Sequence, residues 1–98
     1  MEGCCQVILR ASCASQPDET HIYERQAPMG SGLADLLKAL ALEDPFVREF
    51  LFNPEEGRLY PYHLLLWKDQ MLLPEELDRF TLSQPELELR IVPFVSGG

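Results

Sequence analysis

Residues 87–98 read LELRIVPFVSGG, an alternating segment followed by a short segment that ends in two glycines. The apolar positions of the alternation are Leu87, Leu89 and Ile91, and the positions between them are Glu88, Arg90 and Val92. This period of two is typical of a strand with one buried face. Pro93 predicts the end of regular pairing, because proline has no backbone N–H to donate. Residues 94–98 are therefore expected to form a tail that leaves the sheet.

The clearest predicted helix precedes this strand by some fifty residues. Leucines at 33, 36, 37 and 40 share one helical stripe, which predicts a helix over 33–40 that packs on the core. Ser31 or Gly32 is expected to cap its start. Asp44 followed by Pro45 predicts the start of a second, short helix. Its inward residues are expected to be Phe46, Val47, Phe50 and Leu51.

Four further segments are predicted to be strands. The first two, 6–14 and 20–26, form a hairpin around a turn at 15–19, and the first buries Val7, Leu9, Ala11 and Cys13. A turn at 53–57 leads to a strand at 60–67 and a short return strand at 71–73, before a loop or helical turn at 74–78. The predicted order is β-β-α-β-β, an α+β class in which one helix lies across a mixed four- to five-stranded sheet.

Composition limits the kinds of partner. The chain of 98 residues is 46% hydrophobic and has a net charge of -8, from 16 acidic and 8 basic residues. Such acidity argues against nucleic acid and anionic membranes, which attract lysine and arginine, and favours a basic protein surface. No leader or membrane span is expected from the sequence, so the predicted location is the cytoplasm.

The cysteines and histidines do not predict an active or metal site. Cys4, Cys5 and Cys13 are odd in number, and their spacing to His21 and His63 fits no zinc pattern. The thiols are expected to be structural or incidental, because unpaired cysteine often packs as a small hydrophobic residue. No acid–base or nucleophile set is apparent, so a stand-alone enzyme is not expected.

Gly97 and Gly98 carry the chemistry that the sequence favours. A terminal carboxylate is ionised at pH 7 and can attack the α-phosphate of ATP. The acyl-adenylate that forms is a mixed anhydride, which a sulfide, a persulfide or a thiol displaces. Glycine has no Cβ, so its backbone fits a narrow channel of a partner enzyme. Five extended residues, 94–98, span roughly 15–18 Å.

This tail and the element order resemble the β-grasp sulfur carriers, the MoaD/ThiS family, which includes the small subunit of molybdopterin synthase. The resemblance covers about two-thirds of the chain, from residue 30 onward, and the segments that carry it are 32–40, 46–51, 53–59, 64–73 and 89–98. It implies a ubiquitin-like β-grasp domain over 1–93 and a flexible tail over 94–98. The family's Asn-Gly hairpin turn is replaced here by Lys68-Asp69, which is expected to be built differently. The family's Gly-Asp before the last strand is replaced by Pro85-Glu86.

The resemblance also implies a mechanism. A ubiquitin-activating-type adenylating enzyme would use ATP and magnesium to adenylate Gly98, and a sulfur donor would convert the C-terminus to a thiocarboxylate. The chain itself would bind no cofactor or metal and would be a co-substrate, or the non-catalytic small subunit of a larger synthase. The partner is expected to contact Arg90, Val92, Phe94, Val95 and Ser96.

Two alternatives stay open. A protein modifier joined to lysine through Gly98 shares the adenylation step. A β-grasp interaction module with a chemically idle tail does not need it.

Overall fold

The computed structural model describes residues 3–94, apart from the side chain of Pro17. Seven strands and two α-helices occur in this part of the chain, with a single π-helical turn after the first helix. The strands are β1 Cys4–Cys13, β2 Gln16–Pro28, β3 Phe52–Asn53, β4 Arg58–Leu59, β5 His63–Trp67, β6 Gln70–Met71 and β7 Glu86–Pro93. The helices are α1 Leu33–Glu43 and α2 Pro74–Arg79, and the π turn spans Val47–Leu51.

Five strands form one mixed sheet in the order β2-β1-β7-β5-β6, while β3 and β4 pair separately. β7 lies at the centre, parallel to β1 and antiparallel to β5. The predicted α+β arrangement of a mixed sheet and one main helix is confirmed. The predicted alternation of β7 is also correct, because Leu87, Leu89 and Ile91 are all buried.

Helix α1 supplies the other half of the core. Leu33, Leu37 and Leu40 are buried as predicted, and Leu36 is partly buried at the border. Gly32 is the N-cap residue, without a side-chain hydrogen bond to the helix. The start of α1 is fixed to the segment before β7, because the Leu33 N–H donates to the Phe80 carbonyl (2.9 Å) and the Leu82 N–H donates to the Ser31 carbonyl (2.8 Å).

The prediction around the second helix is partly wrong. Asp44 does cap this segment, since its Oδ1 accepts the N–H groups of Phe46 (2.9 Å) and Val47 (3.2 Å). The chain then forms a π turn instead of a regular helix, and Phe50 is 39% exposed. Phe52, which follows the wider turn, is fully buried in its place.

The predicted first turn lies too far along the chain. The chain turns at Ala14 and Ser15, and Gln16 already pairs with Cys13. Pro17 therefore belongs to β2 and not to a turn. This is possible because β2 is an edge strand, where a missing N–H leaves the ladder on the other side intact.

The predicted strand over 60–67 is shorter than expected and begins at His63. Leu59 pairs back to Phe52, which forms a small hairpin that the sequence did not predict. Tyr62 then adopts a left-handed conformation with φ of 72°, which is incompatible with a continuous strand.

The expectation that the Lys68-Asp69 turn is built differently from an Asn-Gly turn is wrong. Both residues have positive φ, 52° and 63°, between the paired strands β5 and β6. Two consecutive positive φ values between paired strands are the hairpin geometry that normally selects Asn-Gly. The backbone of this turn is therefore the usual one, and only the residues are unusual.

Replacing Lys68-Asp69 by Asn-Gly is predicted to stabilise the protein. Left-handed φ is disfavoured for residues with a Cβ, so we expect the free energy of unfolding to rise by about 1 kcal/mol. Urea unfolding of the two proteins measures the difference. Gly57→Ala provides the opposite change, since Gly57 has φ of 70° and the variant should lose stability. A Lys68→Asn/Asp69→Gly variant no more stable than the parent would contradict the prediction.

Candidate functional site

The candidate site is the end of β7 and the sheet face around it. β7 pairs with β1 from Gln6↔Glu86 to Ala11↔Ile91 and with β5 from Leu66↔Arg90 to His63↔Pro93. The strand is thus paired with β1 over 86–91 and with β5 over 90–93, so its last two residues are held by β5 alone. Phe94 therefore follows a strand end that is paired with β5.

Two of the predicted partner-binding residues lie on the outer face of the sheet, opposite the core. Val92 is opposite Leu64 on β5, and both side chains are partly buried. Arg90 is opposite Leu66 on the same strand and is exposed. The alternation along β7 predicted this orientation correctly. The outer face therefore combines a small apolar strip, formed by Leu64, Leu66 and Val92, with a cationic side chain beside it.

The parallel pairing brings a second outward-facing arginine, Arg10, next to Arg90, a proximity that the sequence did not indicate. Arg10 of β1 is in register with Arg90 of β7, so the two lie side by side on this face. Arg10 donates its Nε–H to Glu88 Oε2 at 2.7 Å. Among residues 3–94, no carboxylate lies within ion-pair distance of Arg90. The same face carries Glu86 and Glu88 of β7 and Glu24 of β2, so its local positive charge is that of the Arg90 side chain and not of the face as a whole.

The point where the chain leaves the sheet is held by one backbone hydrogen bond. The Phe94 N–H donates to the Tyr62 carbonyl at 2.6 Å. This carbonyl is aimed by the left-handed conformation of Tyr62, whose φ is 72°. The side chains of both residues are exposed, Phe94 by 48% and Tyr62 by 66%. The Phe94 ring is therefore not packed into the core, and its predicted role in docking stays a prediction.

His63 connects this point to the first hairpin, a role that the sequence did not predict. Its Nε2 accepts the Ala14 N–H at 3.2 Å. Its Nδ1 lies 3.0 Å from the Pro61 carbonyl and 3.3 Å from the Tyr60 carbonyl. Because a carbonyl only accepts, these partners select the neutral tautomer with the proton on Nδ1. The imidazole thus joins the residues before β5 to the β1–β2 turn.

The remaining predicted site residues, Val95, Ser96, Gly97 and Gly98, lie outside the described residues, as does most of the predicted tail. Their assigned roles stay predictions. Between residues 3 and 94, no group of three or more side chains is arranged to hold a metal ion. In the same part of the chain, none of the helices has the length and apolar character needed to cross a bilayer.

A comparison with solved structures identifies the fold. The chain is similar to the crystal structure of SAMP1 from Haloferax volcanii, with a TM-score of 0.61 and 23% sequence identity. The match covers 98% of this chain and 100% of that chain. The fold is a β-grasp. No family model matches the sequence, and no curated protein matches it.

The β-grasp likeness expected from the sequence is therefore confirmed at the level of the fold. In this β-grasp domain, the outer face and the last residues of β7 are adjacent. A partner that holds the outer face is consequently brought next to the residues that follow Pro93.

Tyr62 is predicted to position the chain where it leaves the β-grasp sheet. Tyr62→Gly keeps the left-handed conformation, whereas Tyr62→Val disfavours it, since a β-branched residue is strained at positive φ. We expect the Phe94 amide to exchange with solvent about tenfold faster in the valine variant than in the glycine variant. Hydrogen exchange followed by NMR measures this, with the Leu89 amide in the same strand as the internal reference. Equal Phe94 rates in the two variants would contradict the prediction.

Proposed function

We propose that the chain is a sulfur carrier that is activated at the Gly98 carboxylate, in the manner of the small subunit of molybdopterin synthase. The observation that carries this proposal is the position of Gly97-Gly98 a few residues beyond the central strand of a β-grasp fold. The likeness to SAMP1, a ubiquitin-like small archaeal modifier protein, supports it at the level of fold. The partner in this proposal is an adenylating enzyme of the ubiquitin-activating type.

In the proposed reaction, a carboxylate oxygen of Gly98 attacks the α-phosphate of ATP and pyrophosphate leaves. A hydrosulfide ion then attacks the carbonyl carbon and displaces AMP, which leaves a thiocarboxylate and releases a proton. The partner enzyme supplies ATP and magnesium, and the chain acts as co-substrate. The thiocarboxylate sulfur is finally transferred to an acceptor in cofactor or metabolite biosynthesis.

The outer face supplies a docking surface for this enzyme. Removing water from its apolar strip costs little free energy. Arg90 has no carboxylate partner among the described residues. We propose that the enzyme meets Arg90 with a carboxylate and covers Val92 with an apolar side chain. Contacts of this kind give specificity and a faster encounter between charged partners.

A second candidate function is protein modification, in which Gly98 is joined to a lysine by an isopeptide bond. The same Gly97-Gly98 end serves this candidate, and the likeness to SAMP1, a likeness of fold at 23% identity, is compatible with both functions. Both functions begin with adenylation and diverge at the nucleophile that displaces AMP. The experiment below separates them.

Incubation with ATP, magnesium, a sulfur donor and an adenylating enzyme is predicted to increase the intact mass of the chain by about 16 Da, the difference between sulfur and oxygen. Intact-mass spectrometry detects this gain. A variant that lacks Gly98 should show no gain and no ATP–pyrophosphate exchange, since the reacting carboxylate is displaced by one residue. A variant extended by one alanine is the matched control for length.

Each outcome of this experiment bears on the proposal. Gly-Gly remnants on lysines of other proteins, without the mass gain, would support modification in place of sulfur transfer. Full biological activity of the variant without Gly98 would contradict both functions. It would leave an interaction module whose last residues are chemically idle.

Arg90→Glu is predicted to weaken activation by the adenylating enzyme. The substitution places a carboxylate where the proposed interface needs a cation, so we expect the KM for the carrier to rise about tenfold with little change in kcat. ATP–pyrophosphate exchange at varied carrier concentration measures both constants. Arg79→Glu on α2 makes the same change in net charge at an exposed site away from this face. Equal effects of the two variants would contradict docking through the outer face.

A further inference from the structure

An apolar groove lies at the edge of the main sheet, beside β6. β6 is two residues long and pairs with Leu66 and Trp67 of β5. Residues 63–65 of β5 therefore have no strand of the described chain next to them on the side away from β7. The groove opens at this place, between the segment that leads into β5 and the segment from Met71 to Pro74, and its volume is about 320 Å³.

Most of the side chains that line this groove are apolar. Leu65 and Leu77 belong to the core and form its deep part, while Leu59 and Leu72 are partly buried. An apolar cavity of roughly 150 Å³ holds a benzene ring. The groove therefore has room for an aromatic or a large aliphatic side chain.

Exposed apolar side chains gather around the groove. Met71 and Leu73 line it and are 47% and 46% exposed. Tyr62 is next in sequence to two lining residues, and its carbonyl accepts the Phe94 N–H. These four side chains are half of the eight large apolar ones that residues 3–94 expose. Such a concentration of exposed apolar surface marks an interaction site.

Leu64 connects the groove to the outer face of the sheet. It lies opposite Val92 and belongs to the apolar strip of that face. It also lines the groove. The groove and the outer face therefore form one surface, which continues around the edge of β5.

The outer face needs such a continuation to hold a partner. Its apolar strip and Arg90 comprise only a few residues, whereas a standard protein–protein interface uses roughly 20–30 residues on each side. Toward β2 the face carries more charge, with Arg10, Glu24 and Glu88. Around the edge of β5 the side chains stay apolar. A partner that covers the outer face therefore gains apolar contact by extending into the groove.

Helix α2, which borders the groove, supplies negative charge. Its carboxylates Glu75, Glu76 and Asp78 are all exposed. Asp78 pairs with Arg58 at 3.0 Å, and Glu76 Oε1 accepts the N–H of the residue before α2 at 2.9 Å. Glu75 forms no ion pair among the described residues. A free carboxylate beside an apolar groove favours a partner that carries a basic residue next to an apolar one.

We propose that the adenylating enzyme inserts an aromatic or large aliphatic side chain into this groove and places a lysine or arginine beside Glu75. The inference rests on the proposed function and extends its docking surface from the outer face to α2. The enzyme then contacts β5 on two sides, at the residues that pair with the end of β7.

The test uses the variant Met71→Thr/Leu73→Ser and the ubiquitin-activating-type adenylating enzyme of the same organism. Both substitutions remove apolar surface and suit their positions, since threonine is favoured in strands and serine at a helix N-cap, the position of Leu73. We expect the KM for the carrier to rise about tenfold with little change in kcat, because apolar contact is lost and the reacting carboxylate is untouched. ATP–pyrophosphate exchange measures both constants. Leu42→Gln is the control, because Leu42 is exposed on α1 and does not line the groove.

A second pair of variants tests the charge of the partner. Glu75→Gln should raise the KM about threefold at low salt, and the effect should shrink as salt screens the contact. Glu55→Gln makes the same change in net charge at an exposed turn and is the matched control. Equal KM values for these two variants would overturn the basic residue of the proposal.

A structural readout completes the test. The methyl resonances of Leu59 and Leu72 should shift when the enzyme binds the parent chain, because the inserted side chain contacts them. Unchanged methyl resonances in the bound chain would overturn the proposal, and so would a Met71→Thr/Leu73→Ser variant with the KM of Leu42→Gln. Both results would leave the proposed function intact, provided that the parent chain supports exchange. A parent chain that supports no exchange would overturn the proposed function together with this inference.

Discussion

The parallel pairing of β1 with β7 is the contact on which the rest of the structure depends. It joins residues 6–11 to residues 86–91, almost the full length of the described chain. Closing so long a loop costs conformational entropy, which only burial of both strands' apolar faces against α1 can offset. The hydrogen bonds from the Leu33 N–H to the Phe80 carbonyl and from the Leu82 N–H to the Ser31 carbonyl align the segment just before β7 with the start of α1. β7 is the one strand of this sheet that lies next to both β1 and β5, so the sheet would be divided without it.

Periodicity explains how much of this fold could be predicted from the sequence. The alternation of Leu87, Leu89 and Ile91 and the leucine stripe of α1 are local signals, and both gave the correct buried face. The β3–β4 hairpin is local, and its turn at 53–57 was predicted, but strands of two residues are too short to show an alternation. The π turn and the left-handed Tyr62 have no periodic signal that would indicate them. Pro17 misled because only the sheet order shows that β2 is an edge strand that tolerates proline.

The residues of the candidate site fall into the same two groups: those that local periodicity indicates and those that only tertiary contacts reveal. The outward direction of Arg90 and Val92 follows from the β7 alternation alone. The presence of Arg10 beside Arg90 requires the parallel register, and the roles of His63 and Tyr62 require the tertiary contacts around the Phe94 amide. The sequence around a histidine or tyrosine in an apolar segment does not indicate that the residue will make such tertiary hydrogen bonds. Residues 95–98 were singled out by composition and chemistry.

Net charge and local charge act at different distances on this molecule. A formal charge of -8 governs approach from far away, and salt screens it beyond about 8 Å at physiological ionic strength. Within contact distance, Arg10 and Arg90 lie side by side on the outer face, which also carries Glu24, Glu86 and Glu88, and Glu88 pairs with Arg10. An enzyme surface that is basic overall and carries a carboxylate at this point would be attracted at both ranges. One partner surface can therefore match both the overall acidity of the chain and the arginines near its last strand.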